Sequence, residues 1–398
     1  MKRFSILCVL LFYFNVSNAQ WQILHSEQSV SLRSAFFTDA HSGYVVGFDY
    51  KTAQGIILKT EDGGANWTEI STEFPGDFQC VFFTGHDTGY IAGHDNLILK
   101  TIDGGNTWSN LNPVSAGDWS SVYFPNSEVG ITVGAYGKIN RTIDGGKSWD
   151  FVGYGSTYYL TSVFFPNSNV GFAVGYNGVI QKTINSGLHW TNMPSGTVQS
   201  LIDVYFTDVN NGFIVGSSGI ILKTTDGGST WQQVNPGYWN HLYAITFTDA
   251  NTGYTVGIGG VILKTLDGGI SWINQVSGTA EYLYDIFFTD SDTGYAVGAN
   301  GIILKTTNGG VWGINDGFNS TRNIEIFPNP ADDYLTVKLS GTSKRLDISV
   351  FNIQGQEILK TKISGQSTKI NISSLNAGVY FVRMGNDKIC KVEKIMKR

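Results

Sequence analysis

Five carboxylates, Asp77, Asp118, Asp203, Glu281 and Asp285, precede or lie in short strand-like runs and are the candidates for acid–base work. Two such groups facing each other across a cleft can cleave a glycosidic bond, one protonating the leaving oxygen while the other acts as base or nucleophile. Acidic residues at strand entries are also ordinary solvated turn groups, so this chemistry needs a shared cleft. Metal chemistry finds less support. His25, His41, His86, His94, His189 and His241 form no H-E-x-x-H pair. Asp290-Ser-Asp292-Thr-Gly294 copies the start of a calcium loop but lacks the distal Glu, and turns such as Asp208–Gly212 recur with fewer carboxylates. Hairpin turns account for both. Cys8, Cys80 and Cys390 are too scattered for a cluster, and the two beyond the N-terminal segment read as separate buried thiols. No Gly loop opens a helix to cradle phosphate, so neither a metal nor a cofactor is expected.

The elements that would position these groups repeat. Trp67, Trp108, Trp149, Trp190, Trp231, Trp272 and Trp312 are spaced 41, 41, 41, 41, 41 and 40 residues apart, each closing a motif such as KTIDGGNTW or KTTDGGSTW. A second motif, G-aromatic-x-V-G, runs in parallel from GYVVG at 43–47 to GYAVG at 294–298. Repeats of 40 to 45 residues indicate a propeller with about four strands per blade. In one unit, Leu242–Thr248 suits the innermost strand, Tyr254–Gly257 the second, Val261–Thr265 the third, and WINQV from Trp272 the outer one. At the Asp-Gly-Gly turns the Asp bonds nearby amides and the glycines accept left-handed φ. Asp62, Asp103, Asp144, Asn185, Asp226, Asp267 and Asn308 therefore have a structural role. The 49 glycines, about 12% of 398 residues, sit largely in these motifs: 14 in G-aromatic-x-V-G, 13 in the Asp turns, and six more at Gly55, Gly137, Gly178, Gly219, Gly260 and Gly301. Asn96 is the left-handed substitute in the second unit. Trp21-Gln-Ile-Leu has the form of an outer strand and is expected to complete the seventh blade, leaving no open edge.

Written S/T-x-D-x-G-x-S/T-W, these motifs resemble the Asp boxes of BNR-repeat proteins. Their run with G-aromatic-x-V-G most resembles the photosystem II stability/assembly factor family of β-propellers, over roughly residues 21–315. The resemblance implies a seven-bladed propeller. Asp boxes also occur in sialidases and xyloglucanases. A sialidase needs three arginines converging on a carboxylate, and the blades contain only Arg33 and Arg141. A xyloglucanase-like pair remains the alternative reading, an extracellular glycan-active hydrolase.

The ends of the chain indicate export. Lys2 and Arg3 precede an apolar run from Phe4 to Phe14 and small residues at Ser17 and Ala19, the layout of a signal peptide over 1–19. The run is too short for a transmembrane span. The propeller is expected over 20–316, a linker over 317–323, and a separate β module over 324–398. That module reads FPNP, then N-x-x-G at Asn352–Gly355, then GVYFVR and a lysine-rich end. It is similar to the C-terminal sorting domain of type IX secretion cargo in Bacteroidetes, a small Ig-like β-sandwich. The resemblance implies the type IX machinery as a partner and a secreted or outer-membrane-surface location. Residues 20–323 carry 12 Lys+Arg against 25 Asp+Glu, net −13, while 324–398 carry 12 against 7, net +5. The acidic propeller offers neither the basic face of a nucleic-acid binder nor the basic patch expected of a photosystem II assembly factor.

What remains is binding without catalysis. Residues that differ between repeats on the face opposite the Asp boxes are Tyr50, Lys51, Asp77, His94, Asp95, Asp118, Trp119, Tyr136, Tyr158, Tyr159, Tyr176, Tyr238, Trp239, His241, Tyr243, Glu281, Tyr282 and Tyr284. Tyr and Trp with scattered acids suit stacking on sugars or docking a protein. Trp119 and Tyr243 lie close enough to the core to be packing residues instead. The expectation is a secreted, all-β scaffold holding an unknown protein or glycan ligand.

Overall fold

The computed structural model describes residues 21–111, 117–310, 324–339, 346–352, 357–363, 367–386 and 389–398. The expected signal peptide, the linker, Trp312, most of the Asn352–Gly355 turn and the side chain of Cys390 lie outside them. The chain divides into two compact units, one spanning Ala19–Val311 and the other containing Trp312–Arg398.

Among the described residues the first unit holds seven four-stranded antiparallel sheets. Six are hairpin meanders; one runs Leu201–Phe206, Gly212–Gly216, Ile221–Thr224 and Gln232–Val234. The seventh joins Leu283–Phe288, Thr293–Gly298 and Ile303–Thr307 to Gln22–His25 from the other end of the chain. Residues 22–25 pair with 303–305, so the segment expected as an outer strand is one. The inner strand of each sheet lies against that of the next, and Leu283–Phe288 lies against Val30–Phe37. The arrangement is propeller-like.

Two repeated contacts join the sheets. The aromatic of G-aromatic-x-V-G stacks on the last Phe of the following inner strand, as in Tyr44 on Phe83 (4.2 Å), Phe172 on Phe206 (4.3 Å) and, from last sheet to first, Tyr295 on Phe37 (4.0 Å). Such pairs contribute about 0.5–1.5 kcal/mol beyond their buried area. The third-strand lysine reaches the next Asp turn, as in Lys182 Nζ to the Gly227 carbonyl (2.7 Å). Close approach, of a ring at the first and of backbone at the second, explains two glycines in each motif. A Cβ on Gly212 would meet the Phe206 ring at 2.5 Å, and one on Gly216 the Ser200 carbonyl at 2.1 Å.

The structure moves several strand ends by a residue and reassigns one glycine. Trp272 precedes the outer strand, Ile273–Gln275, and the third strand begins at Ile262, not Val261. Gly55 lies inside the strand Gln54–Thr60 and is required by the Phe78 ring, 2.5 Å from a Cβ there, not by a left-handed turn.

In the second unit Ile324–Phe327, Tyr334–Leu339 and Ser367–Asn371 form one sheet. Glu357–Ile363, Leu346–Phe351, Gly378–Asn386 and Ile389–Lys397 form another, in that spatial order. Leu335, Val337 and Ile370 from the first share one core with Ile348, Val350 and Val382 from the second.

Candidate functional site: the central channel and its mouth

Each inner strand of the first unit reads apolar-x-x-apolar-x-Phe, as in Leu201-Ile202-Asp203-Val204-Tyr205-Phe206. Spacing of three and then two cannot keep one face of a regular strand. The structure absorbs it with a bulge between the first and third positions of every inner strand, for example between Leu201 and Asp203 and between Leu283 and Asp285. Bulges re-aim side chains. Here the second position (Arg33, Gln79, Ser120, Thr161, Ile202, Tyr243, Tyr284) and the third (Ser34, Cys80, Ser121, Ser162, Asp203, Ala244, Asp285) both line one cavity of about 640 Å³. The cavity is the lumen at the ring's centre, with Asp77, His94, Asp118, Tyr159, Tyr176 and Tyr282 at its mouth.

The third-position ring is structural. Ser34 Oγ accepts from the amide of Val81 (3.3 Å) and Ser121 Oγ from that of Val163 (3.3 Å), each on the next sheet. Asp203 accepts from the Ile245 amide (2.9 Å), the Val204 amide (2.9 Å) and the Ser162 hydroxyl (2.7 Å). Asp285 accepts from the amides of Ala35 (2.8 Å) and Ile286 (2.8 Å), joining the last inner strand to the first. Desolvation pushes Asp203 up to about 7, and the nearby Asp285 charge adds to the rise. Asp285 is raised for the same first reason. Both face the lumen, yet protein surrounds them on every other side. Cys80 shares the ring; burial pushes its thiol up to about 11.

The mouth is aromatic. Arg33 lies 4.8 Å from the Tyr284 ring centre, its Nη2 donates to the Tyr50 hydroxyl (3.2 Å), and it pairs with Asp77 at 3.9 Å. Desolvation raises Asp77, opposed by Arg33 and His94. Tyr243 meets Tyr284 edge to face (5.3 Å) and His241 in parallel (6.3 Å), while Tyr159 stacks on Tyr176 (5.4 Å). Asp118 Oδ1 accepts from the Asp95 amide (3.0 Å).

Of the residues expected on this face, His94, Asp118, Tyr159, Tyr176, Tyr243, Tyr282 and Tyr284 line the lumen or its mouth, and Tyr50 joins them through Arg33. Trp119 does not. It occupies the first, apolar position of its inner strand, is fully buried, and packs with Tyr90, Ile98 and Trp149. Tyr136 and Trp239 are exposed away from the cavity. Tyr158 lines a separate groove with Asn177 and Met193–Val198. Tyr238 is half-buried and bonds the Ile258 carbonyl, Lys51 turns back on Asp49, and Glu281 accepts from Asn300 (2.8 Å). Sequence reasoning missed Arg33, Gln79 and the hydroxyl ring; the broken inner-strand alternation was the signal for them.

The Asp turns act as expected. Asp103 accepts from Thr101 Oγ1 (2.8 Å), the Thr107 amide (2.9 Å) and the Thr107 hydroxyl (2.7 Å). Asp62, Asp144, Asp226 and Asp267 repeat this pattern, and Asn185 and Asn308 keep the bond from the preceding Thr. Asp290 likewise accepts from the amides of Asp292 (2.7 Å) and Thr293 (2.7 Å), a turn and not a calcium loop. Among the described residues no group of three His, Cys, Asp or Glu is placed to hold a metal.

Fold and site together define an all-β, propeller-like protein with a separate C-terminal β module. Residues 325–398 match the family of secretion system C-terminal sorting domains, and residues 14–118 and 190–238 match the family of photosynthesis system II assembly factor YCF48. The chain is thus similar to YCF48-type repeat proteins and carries a sorting domain. A structure of YCF48 bound to D1 peptide aligns with a TM-score of 0.62 at 23% identity, covering 73% of this chain and 97% of that one. YCF48 from Cyanidioschyzon merolae aligns at 0.60 and 21%, covering 72% and 98%. The WD40 propeller domain of Doa1 aligns at 0.55 and 11%, covering 72% and 96%. At these identities the likeness is one of fold. No curated protein matches the chain. Among the described residues no helix is long and apolar enough to cross a membrane.

Proposed function

We propose that the chain is a secreted or cell-surface binding protein: a closed seven-bladed propeller, latched by its N-terminal strand, that holds a ligand at the channel mouth without transforming it. An Ig-like sorting sandwich over 324–398 would pass it to type IX machinery. The observation that carries the reading is the division of labour in the lumen. The oxygens of Asp203 and Asp285 are committed to backbone amides, one in the next residue and one on the next sheet, whereas the residues that vary between repeats supply aromatic faces at the mouth. The D1 peptide of the similar YCF48 structure supports a peptide before a glycan; the acidic surface and the export route speak against a photosynthetic partner. Capture from cell-envelope extract by the wild type and by Tyr159→Ala is the test. Capture lost in the variant supports the mouth, and equal capture overturns it.

A second reading keeps one observation. Asp203, at about 7, has the affinity for a proton that a general acid needs. Reducing-end release from a polysaccharide panel, abolished by Asp203→Ser, would establish a hydrolase in place of a binder.

A further inference from the structure

The chemistry of the mouth specifies the charge of what it binds. Carboxylates reach the cavity from four places around the ring: Asp77, Asp118, Asp203 and Asp285. Among the described lining residues the basic groups are Arg33 and His94. Arg33 is engaged by Asp77, Tyr50 and Tyr284 on one side of the ring, and His94 also acts on Asp77. The third to fifth sheets carry Asp118, the stacked pair Tyr159 and Tyr176, and Asp203, whereas Tyr243 packs on Tyr284 beside Arg33. With Arg33 paired to Asp77, the remaining carboxylates leave the lining acidic, and a low-dielectric concave site of one sign concentrates ligands of the opposite sign and repels its own. Sialic acids, uronic acids, phosphates and peptide carboxylates are therefore disfavoured.

The molecule also shows what kind of cation such walls accept. Arg33 places its guanidinium over one tyrosine face and beside one carboxylate, at 4.8 and 3.9 Å. Tyrosine faces attract ammonium and guanidinium groups through the ring quadrupole, more strongly where water is excluded. A hydrated metal ion would find no comparable offer. Among the described residues no group of three His, Cys, Asp or Glu is placed to hold one, and hard cations need several oxygens.

Resting on the reading of the mouth as a binding site, we propose that its side away from Arg33 takes a Lys or Arg side chain of a polypeptide partner, held by Tyr159 and Tyr176 against Asp118 and Asp203. The channel wall then supplies the charge selection, and the variable tyrosines supply the contact area.

The test titrates the full chain at pH 8, above the Asp203 value of about 7, with fluorescent hexalysine, hexaglutamine and hexaglutamate peptides and with spermidine. The acidic surface attracts polycations anywhere, so variants locate the site. Asp203→Ser removes the channel charge while keeping a hydroxyl that accepts the amide, as Ser34 and Ser121 do in their own sheets. Asp87→Asn removes a charge from an exposed turn beside the Asp-box face. Hexalysine is expected to bind, hexaglutamine not, with affinity falling about tenfold in Asp203→Ser and Tyr176→Ala and unchanged in Asp87→Asn; tenfold corresponds to about 1.4 kcal/mol. Equal loss in Asp87→Asn, or equal binding of the lysine and glutamine peptides, overturns the proposal. So does channel binding by spermidine alone, which would assign a free polyamine. If Tyr159→Ala abolishes envelope capture while the peptides are not discriminated, the mouth remains a binding site and only its charge selection fails.

Discussion

The Tyr295 hydroxyl, on the last sheet of the ring, donates to the carbonyl of Gly63 in the first Asp turn at 2.7 Å. Residues 232 positions apart thus repeat a bond that elsewhere joins neighbours, such as Tyr44 to Gly104 (2.6 Å). Lys305 Nζ shares the same carbonyl at 2.6 Å. Tyr295→Phe therefore leaves Gly63 satisfied and is expected to cost about 0.5–1 kcal/mol, the low end for a lost hydrogen bond. Trp21→Ala removes a fully buried indole and is expected to cost about 3–5 kcal/mol. Urea unfolding followed by tryptophan fluorescence measures both. Equal, small effects would mean that the N-terminal strand does not latch the ring.

Acid should act on the Asp turns. Asp103 is held down at about 2 by the Thr107 hydroxyl first and the Thr107 amide second. A carboxyl lowered in the folded state stabilises it above the unfolded value, 3.8 here, and loses that contribution as pH falls through the folded value. Stability should fall between about pH 4 and about pH 2. Asp103→Asn copies the turns already built on Asn185 and Asn308 and should flatten that limb. Thermal midpoints across the range, compared with wild type, decide the matter.

Asp203 has the opposite sign. Its carboxyl is raised to about 7 from 3.8, chiefly by desolvation. The folded state then binds the proton more tightly than the unfolded chain, so stability falls as pH rises from about 4 to about 7 and levels off above. Asp203→Ser keeps an acceptor for the Ile245 amide and removes the buried charge. The variant should lose less stability than wild type between pH 5 and pH 8, roughly the window around that shift. Identical pH profiles would show that the lumen solvates Asp203 fully.

How much of this was legible in the sequence differs by element. The ring was, because a period of 41 residues with a Trp, a Gly pair and a G-aromatic-x-V-G motif leaves each strand one partner. The lumen was not, because the bulge at the second inner-strand position breaks the alternation by which faces are assigned. Arg33 and Gln79 line the cavity although nothing in the repeat pattern marks them. Variation between repeats also misled at Trp119, where the large ring takes the place held by Leu160 and Leu201 in the next two sheets. Difference among copies marks a site only where the position is not a packing position.

Cys80 offers a check on the lumen. Its thiol lines the cavity but contacts the Val122 carbonyl at 3.8 Å, and burial pushes it up to about 11. Thiolate is the reactive form. Alkylation by iodoacetamide should be slow at neutral pH and accelerate sharply on denaturation. Mass spectrometry of the tryptic peptide reads both rates, and fast labelling of the folded protein would place the thiol in open solvent.

Tyr136 separates stability from binding. It sits at φ 58° and ψ 22°, the left-handed region, at the tip of the turn between the second and third strands. The same place holds Asn177 (φ 58°), Ser218 (φ 57°) and Gly259 (φ 69°). Left-handed backbone costs an ordinary L residue about 1–2 kcal/mol and Asn or Gly less. Burial does not repay this for Tyr136, whose side chain is 73% exposed. An exposed aromatic held in this conformation outside the cavity is accounted for if the binding face extends over this turn and its ring touches the ligand. Tyr136→Asn should therefore raise stability by about 0.5–1 kcal/mol and weaken partner capture in the same preparation. A gain in stability with capture intact would remove Tyr136 from the binding face and leave its strain without a functional cause.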